Sequence, residues 1–264
     1  MKIICVVKFV PDVDNFTYDH EKHIIIRENS RMMINPDDAC AIGFALKMKQ
    51  RSPDTSIEVV TMAPESVLPL VEDILRVGVD AATIISDRLY AGSDTYATSR
   101  ILSRYLSGAT YDTILTGSHA IDGDTSHVPS QIACLLDMNH MSFISRIDEP
   151  SFSSSLARFE VESEHAVSSY EIQMPAILGL SRTSGYRLPY VRYKNLHMDV
   201  SDRVTVIHND VLCFDENDVG LTGSRTKVVG THVKTYRNRG SHVVTTDQEG
   251  IDTVYRFLKE KQFI

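Results

Sequence analysis

The chain has 264 residues, 42% hydrophobic and 23% charged, a balance that specifies a folded globular protein and excludes a disordered, collagenous or coiled-coil chain. Lys and Arg number 27 against 35 Asp and Glu, and the net charge of −8 argues against nonspecific nucleic-acid binding driven by phosphate neutralisation. No apolar run approaches the roughly 20 residues that span a bilayer. The four cysteines form no CxxC pair, so neither a zinc knuckle nor a redox dithiol is indicated, and a cytoplasmic location is expected.

Ile3–Val10 is rich in Val and Ile with almost no polar alternation, the texture of a buried strand. Asn35-Pro36-Asp37-Asp38 marks a helix start: Asn35 can cap, Pro36 suits the first helical position, and the acids complement the helix dipole. Ala39, Ile42 and Leu46 follow at helical spacing, and the stripe reaches solvent at Lys49. A second strand is expected at Ile57–Met62, then a helix from about Ser66 to Val77, closed by Gly78. A third strand, Ala82–Ser86, leads through Asp87–Gly92 into a helix capped by Ser93 or Asp94 and reaching about Leu106. A fourth, Thr113–Leu115, stops at Gly117, and the loop Ser118–Asp124 feeds a helix from Thr125 to about Leu136. This repeated alternation predicts an α/β fold, a parallel sheet with helices on both faces.

Beyond Arg146 the texture changes. Phe152–Ala157, Arg158–Ser163 and Ser168–Gln173 are expected as short antiparallel strands, and Ala176–Leu180 as one more apolar strand. From Ser181 to about Gly240 periodicity is poor, and Tyr190–Asn195 suits wrapping a partner better than filling a core. A terminal helix carries Ile251, Val254, Tyr255 and Leu258 on one face. The expected division is an α/β domain with late antiparallel strands over residues 1–190, followed by a C-terminal arm and terminal helix over 191–264.

Ligands of open parallel sheets bind beyond the carboxyl ends of the strands. Val7–Asp12, Asn35–Asp38, Ser86–Thr95 and Gly117–Thr125 fall there. In the last, Gly117 and Gly123 allow close backbone approach while Thr125 and Ser126 offer hydroxyls, a set that can hold a phosphate and that an ordinary capped turn explains equally. Ser93-Asp94-Thr95, with Thr98 and Ser99, is a second hydroxyl-rich helix start; two such termini on one cleft would suit a pyrophosphate. Asp122 and Asp124 are common turn and cap residues, so no metal is assigned to them with His119 and His127. A GxGxxG after the first strand, a Walker A loop and a GxSxG elbow are all missing, so no catalytic side chain is named and any chemistry must come from a cofactor. Tyr186, Arg187, Tyr190, Arg192 and Tyr193, with Lys194, mix aromatics and cations as protein interfaces do.

Several of these segments resemble one family. Lys2–Pro11 (KIICVVKFVP), Asn35-Pro36-Asp37-Asp38, Met62-Ala63-Pro64, Ala120-Ile121-Asp122-Gly123-Asp124-Thr125 and Gln131-Ile132-Ala133 are similar, in that order, to the electron-transfer flavoprotein beta subunit. The resemblance covers about residues 1 to 180. It implies a Rossmann-like, adenine-nucleotide alpha-hydrolase-like sheet and a heterodimer with an alpha subunit carrying its own FAD. In the conventional branch the beta subunit holds a structural AMP. In the electron-bifurcating branch it holds a second FAD that exchanges hydride with NAD(H). Ser86–Ser99, with its Gly92-Ser93-Asp94-Thr95 helix start, resembles the bifurcating branch.

The resemblance therefore implies FAD in the beta site, with AMP as the alternative. Val6, Lys8, Asn35, Asp38 and Met62 would meet the adenosine end. Ser93, Asp94, Thr95, Thr98, Asp122, Gly123, Asp124, Thr125 and Gln131 would meet the phosphates, Asp122 and Asp124 through their backbone amides, with Gly117 giving close approach. Electrons would pass to the alpha-subunit FAD, to a flavin-dependent dehydrogenase of acyl-CoA or 2-hydroxy acid (lactate) type, and to ferredoxin or flavodoxin. The stretch Leu180–Tyr190 departs from the family's usual loop, and Tyr190 is the nearest counterpart of its dehydrogenase anchor.

Overall fold

A computed structural model of the chain describes residues 1–12, 17–19, 24–26, 31–227 and 243–264. The strands are β1 (Lys2–Val6), β2 (Phe9–Pro11), β3 (Thr17–Asp19), β4 (Ile24–Ile26), β5 (Met32–Ile34), β6 (Ser56–Met62), β7 (Ala81–Ile85), β8 (Thr113–Gly117), β9 (Asn139–Ile147), β10 (Leu156–Glu162), β11 (Val167–Gln173), β12 (Ala176–Leu180) and β13 (Val204–Ile207). Four longer helices connect them: α1 (Pro36–Arg51), α2 (Leu68–Arg76), α3 (Thr95–Gly108) and α4 (Val128–Leu136). The helical turns α5 (Asn209–Leu212) and α6 (Gly220–Gly223) follow, and α7 (Gln248–Glu260) comes last.

Nine strands form one sheet in the order β11-β10-β9-β12-β8-β1-β6-β7-β13. Pairing is parallel from β9 across to β13 and antiparallel only for β9–β10 and β10–β11. The α/β expectation holds. Residues of β1 alternate between two cores, Ile3 and Cys5 facing α1 and α2, Ile4 and Val6 facing α3 and α4. Burial on both faces is why the strand reads as an unbroken apolar run.

Several boundaries differ from the sequence expectation. The run Ile3–Val10 divides at Val7 and Lys8, where Lys8 donates its backbone N–H to Asp38 (2.8 Å) and β2 turns off to pair with β5. The helix expected from Thr125 begins at Val128, because Asp124 (φ 49°) and Ser126 (φ 54°) stand in the left-handed region and Pro129 sits in the first turn. Phe152–Ala157 is largely a turn whose Ser153 hydroxyl accepts the Leu156 N–H (3.1 Å), a local bond that competes with a ladder. A strand that the sequence does not announce, β9, precedes that turn, hidden because Phe143 (φ 61°) breaks its two-residue period and the register against β12 shifts. The four-residue β13 lies in the stretch of poor periodicity and joins the sheet at the edge of β7.

One compact unit runs from Met1 to Lys227. A second runs from Val228 to Ile264, and its helix α7 is capped by Asp247, which accepts the Gly250 N–H (2.9 Å). No described helix is long and apolar enough to cross a membrane.

Candidate functional site

The sheet order reverses around β1: the chain passes from β1 to β6 on one side and returns to β8 on the other. Crevices form beyond the carboxyl ends of strands at such a switch point. A cavity of about 350 Å³ opens there, at the lower end of the roughly 300–1,000 Å³ of small-molecule pockets.

Its floor is the end of β1 and β8 with the start of α1. Val6, Val7 and Lys8 meet Thr116, Gly117 and Ser118 there, with Asn35 and Asp38 beneath. Asp38 is buried and clamps the two strand ends, one carboxylate oxygen accepting the Lys8 N–H (2.8 Å) and the other the Gly117 N–H (2.7 Å). Burial pushes its carboxyl up to about 7, against the lowering by those two N–H groups and the Asn35 side chain; Asp37 beside it adds to the rise. Gly117 is required because a Cβ there would lie 2.7 Å from the Asp38 backbone nitrogen. Asn35 does not cap α1 with its side chain as expected; its amide donates to the His119 carbonyl (2.8 Å) and accepts the Ile121 N–H (3.2 Å), tying loop to floor.

One wall is the N-terminal turn of α3, with Ser93, Asp94, Thr95 and Thr98, and Leu102 one turn further. Asp94 caps α3, accepting the Ala97 N–H (3.0 Å), and also accepts the Thr226 N–H and hydroxyl (2.8 Å each). Partial burial raises its carboxyl, but these hydrogen bonds outweigh that and hold it below the usual carboxylate range. The opposite wall is the loop into α4: His119, Ala120, Gly123 to Ser126, His127, Val128 and Pro129. Met62, at the end of β6, closes the side.

Of the residues named from the sequence, Val6, Lys8, Asn35, Asp38, Met62, Ser93, Asp94, Thr95, Thr98, Gly117, Gly123, Asp124 and Thr125 all line this one cavity. Asp122 and Gln131 do not. Asp122 pairs with the Lys8 ammonium (2.6 Å), and Gln131 accepts the Ser99 hydroxyl (2.9 Å). Leu102 was legible as the residue four after Thr98 on the same helix face, and Pro129 is the start signal that moves His127–Pro129 into the wall.

His119 faces the buried Asp37 carboxylate at 2.8 Å, and Arg182 faces it at 3.3 Å; neither contact is a directed hydrogen bond. Arg182 thus supplies a permanent cation behind the loop in which His119 stands. No group of three or more potential metal ligands occurs among the described residues.

The lining suits a nucleotide. Val6, Met62, Leu102, Val128 and Pro129 offer apolar walls, Thr95, Thr98, Thr125 and Ser126 offer hydroxyls, and Lys8 offers one cation. Thr116 also lines the cavity, and its buried hydroxyl has no hydrogen-bond partner among the described residues.

The aromatic and basic stretch after β12 divides. Tyr186 is spent inside the subunit: its ring packs edge-on against Phe44 (5.0 Å between centroids) and its hydroxyl donates to the Ile147 carbonyl (3.4 Å). The Arg187 backbone lies on α1 at Gly43, where a Cβ would come within 2.8 Å of it. Tyr190 and Tyr193 stand 96% and 90% exposed, with Arg192 exposed beside them.

Comparison with known proteins agrees with this geometry. The electron transfer flavoprotein domain matches residues 23–184. End to end, with both chains covered in full, the sequence is 29% identical to the electron transfer flavoprotein subunit beta of Thermoanaerobacterium thermosaccharolyticum. It is 31% identical to the caffeyl-CoA reductase-Etf complex subunit CarD of Acetobacterium woodii and 27% identical to the acryloyl-CoA reductase electron transfer subunit gamma of Anaerotignum propionicum, again over both full lengths. On a domain match across more than half its length and relatives matching throughout, the chain belongs to the electron transfer flavoprotein family and is a subunit of its beta type.

Proposed function

We propose that the cavity holds FAD and that the chain works as the beta subunit of a bifurcating electron-transfer flavoprotein, exchanging hydride with NAD(H). The observation that carries this is the meeting of two hydroxyl-bearing segments, Ser93–Thr98 and Gly123–Ser126, on one cavity at the switch point. Two phosphates need two sets of donors, and one alone would suit a monophosphate. Bound there, FAD would supply two-electron exchange with NAD(H) and one-electron transfer onward.

The chain's own residues bind and orient. Lys8, expected from the resemblance at the adenosine end, is the lysine lining the cavity and is assigned here to phosphate charge, its ammonium shared with its partner Asp122. Thr95, Thr98, Thr125 and Ser126 donate hydrogen bonds. Asp38 holds the ends of β1 and β8 at a fixed separation, and Met62 and Leu102 exclude water from the apolar part. Asp122 acts at one remove, by fixing the Lys8 ammonium; Gln131 acts through Ser99.

An alpha subunit bearing its own FAD would complete a heterodimer. The two CoA-reductase relatives favour a flavin-dependent dehydrogenase of acyl-CoA type over a 2-hydroxy acid type, with ferredoxin or flavodoxin as the second acceptor. Tyr190, Arg192 and Tyr193, exposed and unused by the fold, suit the partner face. Residues 191–264 would then serve partner binding from two places, the first part packed on the α/β unit and the second in the unit with α7. A structural AMP is the second reading, favoured by the modest cavity volume.

Identifying the nucleotide released on denaturation tests the site. One adenine nucleotide per chain is expected, with the Thr95→Val/Thr98→Val double variant retaining much less at unchanged stability. Equal retention by that variant removes α3 from the site.

A further inference from the structure

The first turn of α3, one wall of the cavity, is bonded to a stretch of chain distant in sequence. Residues 219–227 cross the start of that helix as a strap, and the contacts between them converge on Asp94. Its backbone N–H donates to the buried Ser224 hydroxyl (2.8 Å), which is itself held at the Gly220 carbonyl (2.7 Å). One carboxylate oxygen caps Ala97, and the other takes both the N–H and the hydroxyl of Thr226. Around this point the Leu221 N–H donates to Ala91 O (3.1 Å), and the Arg225 guanidinium sits 4.2 Å over the Tyr96 ring with a hydrogen bond to its hydroxyl (3.2 Å). A carboxylate accepting three donors has little left to offer a ligand, and its charge would repel a phosphate.

We infer that Asp94 is a positioning residue that pins the 219–227 strap to the first turn of α3, so that nucleotide retention depends on chain far beyond the cavity. The pin sets the direction of Thr95 and Thr98, the next residues on the same turn, without touching the ligand. The inference rests on the nucleotide reading of the cavity, and it names the part of the chain on which that site depends. The strap ends at Lys227, the last residue of the compact unit.

Asp94→Asn separates the two jobs of the side chain. Asn caps a helix about as well as Asp, so Ala97 keeps its acceptor. The amide nitrogen is a donor only, so the Thr226 N–H loses its acceptor. Thr226→Val removes the hydroxyl from the other side, and Thr226→Ser restores it; neither alters a cavity residue.

Hydrogen exchange at 219–227 and the release rate of the co-purified nucleotide, read together on the full-length protein, test this. Asp94→Asn and Thr226→Val should each speed exchange in the strap, about 10- to 100-fold for loss of a charge-assisted bond. Both should speed nucleotide release, Thr226→Ser should rescue both readouts, and the double variant should lose less than the sum of the two single losses, because both variants act on one contact. Tighter nucleotide binding in Asp94→Asn would mean that the carboxylate faces the phosphate, and overturns the inference. Faster release with strap exchange unchanged also overturns it, as does a loosened strap with unchanged release in Thr226→Val. A wild-type protein carrying no nucleotide defeats the cavity reading instead, while the exchange readout still decides whether Asp94 pins the strap.

Discussion

Asp38→Asn should make folding stability depend less steeply on pH. The carboxylate is buried at the junction of β1, β8 and α1, and burial raises it from 3.8 to about 7. Three units correspond to about 4 kcal/mol. Through the window from about pH 4 to about pH 7 the folded chain keeps the proton that the unfolded chain has released. Stability therefore falls as pH rises, by about 1.4 kcal/mol per unit, and levels off above the folded value. Asp87, Asp94 and Glu149 are held below the usual range and act with the opposite sign at lower pH, but they are common to both proteins and cancel in the comparison. Asn accepts only one of the two backbone N–H groups, a constant cost of about 1–3 kcal/mol. Urea unfolding of both full chains across this range should show the wild type losing its advantage as pH rises, by up to about 4 kcal/mol. Parallel stability curves, or a wild type that gains on the variant with pH, would refute the assignment of a buried, proton-holding carboxyl.

Gly117→Ala should cost about 1–3 kcal/mol and deplete the bound nucleotide, because the added carbon meets the Asp38 backbone 2.7 Å away; a urea midpoint with nucleotide quantification checks both. Lys8→Met should weaken nucleotide binding and flatten its salt dependence, read by titration at two ionic strengths, since Lys8 is the lysine that lines the cavity. Tyr190→Ala and Tyr193→Ala should change stability by less than about 0.5 kcal/mol while weakening partner capture, measured by calorimetry against the purified dehydrogenase; unchanged affinity removes this face from the interface.

The parallel sheet was legible because burial on both faces leaves uninterrupted apolar strands such as Ala176–Leu180, and because Pro36 and Asp94 mark their helix starts. The candidate site was legible for the same reason: strand ends and helix starts are local signals, and topology brings them together. What escaped has physical causes. A left-handed Phe143 breaks the alternation of β9. Left-handed Asp124 and Ser126 delay α4 and turn an expected helix start into a loop wall. Asp122, Gln131 and Tyr186 carry suitable chemistry but spend it on Lys8, Ser99 and Phe44, which only three-dimensional contact reveals. The strand β13 and the strap after it owe their order to packing on β7 and α3, since β13 is only four residues long and the strap is too polar to announce itself.

Counting flavin per heterodimer, with the extracted nucleotides identified, tests most directly whether the cavity holds FAD. Two flavins, no AMP and reduction of flavin by NADH under anaerobic conditions are the predicted result. One flavin with one AMP, and no reduction by NADH, would contradict it.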